Sequence, residues 1–369
     1  QLAPAVLAGT GEQARRLVHN GLKKAVEKQL ISDAPIGVFL SGGIDSSLLA
    51  LLANNETEQL KTVSICFNES NYDERIYQNA VTDKLQGERY VHLVKQSDFE
   101  DNFYRIISDM DMPTTDGINT WFISNYARRD GLKAVLSGLG ADELFGGYPS
   151  FKRIGYLRYL SKIPGFMLSA SKSVTNGRFR KISFLAYQHP RAAYLFMRGL
   201  FIPADIAQLV GADVNEVERI LFSDAAAQEF QPYDKTGAAW FERHLYMQNQ
   251  LLRDTDVMSM AHGLEVRVPF LDEEFQHQIE NIRPEIRLPS GLPKKLLIES
   301  FDDLLPDIVW KRPKMGFSFP LQDWMRRHPE ISEKYFYRGN LSKKIIGQFK
   351  KGQIHWSKAF ALYQTQLNG

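Results

Sequence analysis

One stretch near the amino terminus constrains the fold more than any other part of the chain: Val38-Phe39-Leu40-Ser41-Gly42-Gly43-Ile44-Asp45-Ser46-Ser47. Its apolar start predicts a buried strand, its small residues a tight turn, and the leucines that follow a helix. Glycine lets the backbone turn sharply and approach a ligand closely. The first turn of a helix directs N–H groups and a partial positive charge at whatever lies before it. The stretch therefore predicts a strand–turn–helix unit that binds an anion, above all a phosphate group.

Asp45 decides how this turn is interpreted. A carboxylate is unsuited to bare phosphate but fits a site that also holds Mg²⁺. The pattern is not the common P-loop, because no lysine follows the glycines. Ser-Gly-Gly-x-Asp-Ser resembles instead the PP-loop signature of ATP pyrophosphatases, which split ATP into AMP and pyrophosphate. The alternative is an ordinary helix capped by Asp45 or Ser46.

The first 150 residues alternate between strand and helix patterns. Strands are predicted at Ile36–Leu40, Thr62–Phe67, Arg89–Val94 and Lys133–Ser137, and helices at Glu12–Leu30, Ser46–Asn54, Tyr72–Leu85, Gln96–Asp109 and Trp121–Asp130. This alternation favours an α/β fold, a parallel sheet with helices on both faces. Ligands bind such sheets at the carboxyl ends of the strands, where Ser41 and Ser137 would both lie.

The rest of the chain is mostly helical in pattern, with breaks at Pro164-Gly165, Pro203 and Pro289-Ser290-Gly291. We find no internal repeat and no low-complexity tract. We therefore expect one domain over residues 1–369, with an α/β core at about 12–150 and a mostly helical remainder at 151–369 packed around the same sheet.

Composition argues against several functional classes. The content of 44% hydrophobic and 24% charged residues is typical of a soluble globular protein. A net charge of +2 gives no electrostatic case for a nucleic-acid or membrane partner, so basic runs such as 178–181 are expected to be solvated faces.

The single cysteine, Cys66, excludes a disulfide framework and a four-cysteine zinc site, and is expected to be a buried strand residue. Residues 1–8 lack the basic start of a signal peptide, and the apolar stretches are too short to span a bilayer, so we expect a cytoplasmic protein.

A second glycine-rich loop follows the fourth predicted strand: Ser137-Gly138-Leu139-Gly140-Ala141-Asp142-Glu143-Leu144-Phe145-Gly146-Gly147-Tyr148. The order is again strand, turn, acid and helix. Two such loops at one sheet edge would place Asp45 and Asp142 facing the same polyphosphate. Two carboxylates together with phosphate oxygens suit Mg²⁺. The alternative is a pair of unrelated helix caps.

With these loops and three further motifs, the chain resembles the synthetase domain of the asparagine synthetase family. The motifs are the stretch 252–272, the tripeptide Leu305-Pro306-Asp307, and Lys311-Arg312-Pro313-Lys314-Met315-Gly316-Phe317. The match runs from about residue 12 to beyond 330. It implies a PP-loop fold of the kind shared with adenine nucleotide α-hydrolases, extended by a mostly helical carboxyl-terminal part, with ATP and Mg²⁺ as cofactors.

The resemblance also implies a reaction. ATP binds on the PP-loop, a substrate carboxylate attacks the α-phosphorus to give an acyl-adenylate and pyrophosphate, and ammonia displaces AMP to form an amide. Leu40, Ile65 and Gly138 match positions that line the adenine pocket. The remaining residues expected to bind ATP or pyrophosphate are Ser41, Gly42, Gly43, Asp45, Ser46, Ser47 and Ser137.

Catalytic roles fall by resemblance on Lys314 and Glu265. Lys314 would reach the α-phosphate and stabilise the transition state; the alternative is an exposed loop lysine. Glu265 would face the active site and handle a proton during amide formation; the alternative is an ion pair with Arg267. Asp45 and Asp142 would hold the metal, and the substrate pocket would comprise Leu139, Gly140, Asp142 and Glu143.

Two positions depart from the family pattern. Leu139 stands where asparagine synthetases carry glutamate and β-lactam synthetase carries tyrosine, and a leucine is neither acid, base nor hydrogen-bonding partner. Gln1 is not the cysteine that begins the family's glutaminase domain, so we expect that domain to have been removed, to be a separate chain, or to be replaced by free ammonia.

Three hypotheses remain open. The first is an AMP- and pyrophosphate-forming amide ligase acting on aspartate, the family default. The second is a related amidotransferase acting on another carboxylate in a biosynthetic or polysaccharide pathway. The third is a non-catalytic nucleotide-binding regulatory protein, which would need neither Lys314 nor the paired Asp45 and Asp142.

Overall fold

The fold is known from a computed structural model, which describes residues 9–57, 59–174, 177–187, 189–222 and 232–367; Gln1 lies outside them. The chain divides into two compact units. The first comprises Gln1–Gly147 and Tyr246–Pro320, and the second comprises Tyr148–Leu245 and Leu321–Gly369.

The first unit is built on a sheet of five parallel strands in the order β3-β2-β1-β4-β5. Their bounds are β1 Ile36–Phe39, β2 Lys61–Cys66, β3 Glu88–Leu93, β4 Ala134–Leu136 and β5 Glu265–Arg267. Because β1 pairs with β4, with Val38 opposite Leu136, Ser41 and Ser137 follow neighbouring strands at the same carboxyl edge. The prediction of a parallel sheet with flanking helices is confirmed.

Strand β5 adds to the predicted secondary structure, which was mostly helical beyond residue 151 and named no strand there. It pairs with β4, placing Glu265 opposite Ala134. Its three residues are too few for an alternating pattern to emerge from the sequence. A second difference concerns the helix predicted from Tyr72, where a 3₁₀ turn at Ser70–Tyr72 precedes a helix that begins only at Arg75.

Six helices belong to the first segment of this unit: α1 Gly11–Gln29, α2 Ile44–Glu56, α3 Arg75–Thr82, α4 Gln96–Asp109, α5 Gly117–Arg129 and α6 Ala141–Phe145. The second segment adds Leu252–Met260, Glu273–Glu280, Pro284–Arg287, Lys295–Glu299 and Asp307–Trp310, with a 3₁₀ turn at Pro269–Leu271. The π-helical stretch Glu242–Leu251 crosses the sequence boundary at which this segment begins.

The core of the first unit explains why the PP-loop is held firmly. Helix α1 buries one side, from Ala14 to Val26, and α2 buries every residue from Ser46 to Ala53. Both helices pack with Val38, Leu40 and Leu136 of the central strands. Helix α5 packs against β2. Cys66 is buried at the end of β2, as predicted.

Every regular element described in the second unit is helical. The helices are Ser150–Leu160, Gly165–Ala170, Gly177–Arg180, Pro190–Arg198, Pro203–Val210, Val214–Phe222, Lys235–Phe241, Leu321–Arg327, Pro329–Ser332, Asn340–Lys350 and Trp356–Leu367, with 3₁₀ turns at Ser171–Ser173, Lys181–Tyr187 and Lys334–Phe336. Among the helices so described in the whole chain, none is by itself long and apolar enough to cross a membrane, although one bent pair, Pro190–Arg198 with Pro203–Val210, passes that test jointly.

Candidate active site

The PP-loop is the turn Ser41–Gly43 between β1 and α2. Gly42 has a φ of 77°, and a Cβ on it would lie 2.9 Å from Cβ of Tyr77 and 3.0 Å from the backbone nitrogen of Gln78. Only glycine fits here without strain. The hydroxyl of Ser46 accepts a hydrogen bond of 3.2 Å from the backbone nitrogen of Ser41 and lies 3.0 Å from the Ser41 hydroxyl.

The helix-cap alternative is not supported. The amino-terminal cap of α2 is Gly43, and no side chain hydrogen-bonds to the first turn as a cap. Ser46 instead closes the loop from inside the helix. Ser47 lies deeper, fully buried in α2, and its hydroxyl has no hydrogen-bonding partner among the described residues.

The second loop lies directly against the PP-loop. A Cβ on Gly138 would lie 2.8 Å from Cβ of Asp45 and 3.1 Å from the backbone nitrogen of Ser46. Gly140 has a φ of 94° and packs on Leu271. The glycines therefore allow the contact that brings the two acidic residues together. Between them Leu139 is half-buried, and Glu143 is buried one turn further on.

A lysine that the sequence analysis missed joins the two loops. The ammonium group of Lys294 lies 2.5 Å from Oδ2 of Asp45 and 2.5 Å from Oδ1 of Asp142. Its side chain is only 4% exposed. Lys294 is also the one non-glycine residue with positive φ in the described part of the chain, at 57°. In sequence it is the first of two adjacent lysines, and nothing in that pattern distinguishes it from its exposed neighbour.

Burial and the ammonium groups of Lys294 and Lys314 have opposite effects on the pKa values of the two aspartates. Burial raises the pKa of Asp45, and Lys294 offsets this only in part. Burial also acts to raise the pKa of Asp142, but Lys294 and Lys314 outweigh it and hold that pKa below its ordinary value. Burial alone would lower the pKa of Lys294; the two carboxylates raise it well above the usual range. Lys294 is therefore a permanent cation.

Lys314 lies at the second loop. Its ammonium group donates to Oδ1 of Asp142 at 2.6 Å and to the carbonyl oxygen of Gly147 at 3.1 Å. The side chain keeps 34% exposure. Lys314 is thus an exposed loop lysine, as in the alternative, but one that contacts the second loop and is partly accessible to a ligand.

Arg312, two residues earlier, holds the PP-loop itself. Its Nη2 donates to the carbonyl oxygen of Gly42 at 3.0 Å and to Oε1 of Glu74 at 2.7 Å. The guanidinium group lies over the ring of Tyr77, 3.7 Å from its centroid. The side chains of Arg312 and Glu74 are each 8% exposed, so this is a buried, hydrogen-bonded ion pair. One short segment thus contacts the first loop through Arg312 and the second through Lys314.

The predicted adenine-pocket residues Leu40 and Ile65 are buried at the ends of β1 and β2. The carbonyl oxygen of Leu40 accepts a hydrogen bond of 2.8 Å from the Ser64 hydroxyl. That of Ile65 accepts one of 3.0 Å from the side-chain amide of Gln78. Each carbonyl keeps a second lone pair for a further donor.

Glu265 is not brought to the loops. It begins β5 at the amino edge of the sheet, opposite Ala134, whereas the loops lie at the carboxyl edge. Its carboxylate is 59% exposed and accepts a hydrogen bond of 2.8 Å from Nε of Arg267. The geometry favours the ion-pair alternative for this glutamate.

The carboxylates of Asp45 and Asp142 could hold Mg²⁺ only if phosphate oxygens of a substrate complete its coordination. Oδ1 of Asp45 is buried without a hydrogen-bonding partner in the described chain, so one oxygen is available for a cation. The described residues contain no group of three or more His, Cys, Asp or Glu side chains suited to a metal. Magnesium commonly binds one or two carboxylates and otherwise substrate phosphates, and Asp45 with Asp142 fits that pattern.

Comparisons with known proteins identify the family of the chain. The sequence model of the asparagine synthase family matches residues 17–348. Asparagine synthetase [glutamine-hydrolyzing] 1 of Bacillus subtilis is 26% identical over 321 residues, covering 84% of this chain and 50% of its own length. A putative asparagine synthetase [glutamine-hydrolyzing] of Mycobacterium bovis is 27% identical over 316 residues, 83% of this chain and 48% of its own. Amidase chry2 of Gibberella zeae is 26% identical over 371 residues, 86% and 54%. The chain spans about half the length of these curated relatives.

Proposed function

The chain belongs to the asparagine synthase family, and from this we propose that it is an ATP-dependent carbon–nitrogen ligase that adenylates a substrate carboxylate and then converts it to an amide. The observation that carries the proposal is the junction of the two loops. There, Lys294 and Lys314 place two ammonium groups within 2.6 Å of Asp142, beside a glycine turn at the start of α2. Such a concentration of positive charge suits a polyphosphate.

In the first step a carboxylate oxygen of the substrate attacks the α-phosphorus of ATP, and the bond to the pyrophosphate oxygen breaks. The leaving pyrophosphate gains negative charge, which the N–H groups and hydroxyls of Ser41–Ser46 and the ammonium group of Lys294 would stabilise. Lys314, the more exposed of the two lysines, would stabilise charge at the α-phosphate. Mg²⁺, held by Asp45 and Asp142, would neutralise phosphate oxygens when bound.

In the second step an amine, ammonia by family default, attacks the carbonyl carbon of the acyl-adenylate. The carbon–oxygen bond breaks and AMP leaves with the oxygen that came from the carboxylate. We assign no role in this step to Glu265, because its carboxylate is exposed at the other edge of the sheet. Two of the curated relatives are named as glutamine-hydrolyzing, and ammonia is the nitrogen source that we propose for this chain.

Leu139 bears on which carboxylate is used. It is half-buried between Gly138, which touches the PP-loop, and Gly140, which packs on Leu271. An apolar side chain at this point cannot recognise a charged or hydrogen-bonding group of a substrate. Aspartate is the first substrate to test, and a carboxylate with an apolar neighbouring group is the second candidate.

The test is ATP–pyrophosphate exchange against a panel of carboxylic acids, followed by amide formation with ammonia and then with glutamine. We expect exchange that depends on one acid of the panel and is abolished by Asp142→Ala. Exchange with another acid but not with aspartate would exclude asparagine synthesis and keep the ligase. ATP binding without exchange for any acid would favour a regulatory nucleotide-binding protein instead.

A further inference from the structure

Charge is distributed very unevenly in the second unit. The stretch from Tyr148 to Ala204 contains ten of the chain's 45 lysines and arginines and none of its 43 aspartates and glutamates. The net charge of +2 for the whole chain conceals this asymmetry, because acidic residues elsewhere balance it. The absence of an electrostatic case for an anionic membrane, inferred from the net charge, therefore does not extend to this stretch.

The same stretch exposes large apolar side chains that a soluble surface normally covers. Helix Ser150–Leu160 buries Phe151, Ile154 and Leu157 on its inner side. Its outer side and the residues that follow expose a set that we call the apolar face: Tyr156 (65%), Tyr159 (72%), Ile163 (37%), Phe166 (78%) and Met167 (55%). Tyr156 and Tyr159 lie on one side of the helix, one turn apart. Large exposed apolar side chains this close together in the chain are typical of an interaction surface.

Four exposed cations lie in the same segment of the chain as the apolar face, within the helix Ser150–Leu160 or just after it: Lys152, Arg153, Arg158 and Lys162. In the part of the chain that the structure describes, none of these four forms an ion pair. Three other basic residues of the stretch do pair with acids beyond it: Lys172 with Glu218 at 3.7 Å, Arg180 with Asp205 at 2.8 Å and Arg198 with Glu242 at 2.6 Å. The four cations listed above therefore keep their full charge at the surface.

The titration of Lys181 supports a local excess of positive charge. Burial, together with the charges of Lys358 and Arg153, lowers the pKa of this lysine to about 8. No carboxylate is among the groups that act on it. The charged groups that act on Lys181 are therefore both cations.

We propose that this surface docks on an anionic lipid membrane, with the apolar face in the interfacial region and Lys152, Arg153, Arg158 and Lys162 against the headgroups. Tyrosine and phenylalanine partition well into the membrane interface, and nearby lysines and arginines are attracted to anionic lipids. An acidic polypeptide could pair with the cations, but it would also need a complementary apolar surface to cover the five exposed apolar side chains. A lipid membrane covers them without any such specific shape. The docking is peripheral and independent of the proposed ligase activity.

The experiment is flotation of the full chain with vesicles of phosphatidylcholine alone and of an equimolar mixture of phosphatidylcholine and phosphatidylglycerol. Two double variants test the surface, Phe166→Ser with Met167→Ser and Arg158→Gln with Lys162→Gln. Matched controls in the same unit are Tyr335→Ser with Phe336→Ser, which are 73% and 40% exposed, and Lys343→Gln with Lys344→Gln, which are exposed lysines. Thermal unfolding of each variant verifies that it is folded.

We expect binding to the anionic vesicles only, weakened roughly fivefold for each cation removed, lost in the Phe166 and Met167 variant, and unchanged in both controls. Raising the salt from about 0.1 M to about 1 M, which shortens the Debye length from about 10 Å to about 3 Å, should release the wild-type protein. Equal binding to both vesicle types, or loss in the controls as well, would overturn the proposal. Binding to polyglutamate without binding to vesicles would also overturn it and assign the surface to an acidic polypeptide.

Discussion

Asp45 and Asp142 lie in the first turns of two different helices, α2 and α6, yet their carboxylates share one buried ammonium group, that of Lys294, at 2.5 Å from each. Two partly buried carboxylates this close would repel each other without a cation between them. Lys294 therefore allows the PP-loop and the second loop to lie in contact before any nucleotide or metal arrives. The ion pairs of Lys294 with Asp45 and Asp142 thus hold the two halves of the site together.

Removing this cation should cost stability as well as activity. Lys294→Met leaves two partly buried carboxylates with only Lys314 to compensate them, and we expect the free energy of unfolding to fall by about 2–3 kcal/mol. Urea denaturation measures this. Lys295→Met is the matched control: its side chain is 48% exposed and its nearest acid, Glu299, lies 3.5 Å away on the same helix. That variant should change stability by less than about 0.5 kcal/mol. Equal effects from the two variants would remove the special role of Lys294.

The contact between the loops depends on Gly138. In Gly138→Ala the new Cβ would meet Cβ of Asp45 at 2.8 Å, and both atoms are close to rigid backbone. We expect the loops to separate, with a loss of about 1–3 kcal/mol in stability and a raised KM for ATP in the exchange assay. Gly155→Ala serves as the control, since a Cβ there meets nothing within 4 Å. Because Gly155 is in a helix, that change should stabilise by about 0.5–1 kcal/mol. A normal KM for ATP in Gly138→Ala would refute the account of the loop contact.

Arg312 should act on nucleotide binding by way of the PP-loop. In Arg312→Lys the charge remains, but a lysine cannot donate to Gly42 and Glu74 in the same geometry while covering the ring of Tyr77. We expect a KM for ATP raised by about tenfold, equivalent to about 1.4 kcal/mol, with a smaller change in kcat. Steady-state exchange kinetics separate the two constants. Arg16→Lys, on a side chain that is 75% exposed, is the control. A fall in kcat alone would place Arg312 in the chemical step and contradict a positioning role.

Asp254 predicts a pH dependence of stability. The carboxylate is 3% exposed and accepts the Thr114 hydroxyl, and burial raises its pKa to about 6 from 3.8. The folded state therefore binds a proton more tightly than the unfolded state, so stability contributed by this group is lost as the pH rises from about 4 to about 6. The free energy of unfolding of the wild-type protein minus that of Asp254→Asn should therefore be smaller at pH 7 than at pH 4.5. Urea denaturation at both values checks the difference; a constant difference would mean that Asp254 titrates normally.

Much of this fold could be predicted because its signals are local. The strand and helix patterns up to residue 137 and the two glycine loops are contiguous in sequence, so the parallel sheet and the meeting of Asp45 with Asp142 followed from them. Strand β5 could not be predicted, since three residues carry no period and their pairing with β4 is a tertiary event.

The cationic half of the site was harder to predict. Lys294 is buried only because two loops distant in sequence close around it, and as a sequence feature it is indistinguishable from Lys295. Arg312 belongs to the same motif as Lys314, but its contact with the carbonyl oxygen of Gly42 depends on the positive φ of Gly42, which the sequence does not reveal. Glu265 shows the converse: a motif glutamate expected at the site lies at the other edge of the sheet.

The measurement that tests the central claim most directly is the fate of oxygen from the substrate. With the acid that supports exchange labelled with ¹⁸O in its carboxylate, and with ammonia present, adenylation predicts one ¹⁸O atom in the AMP released, detected by mass spectrometry. The account also predicts loss of this transfer in Lys314→Met. Formation of ADP with ¹⁸O in inorganic phosphate, or of AMP without the label, would contradict attack of the carboxylate on the α-phosphorus.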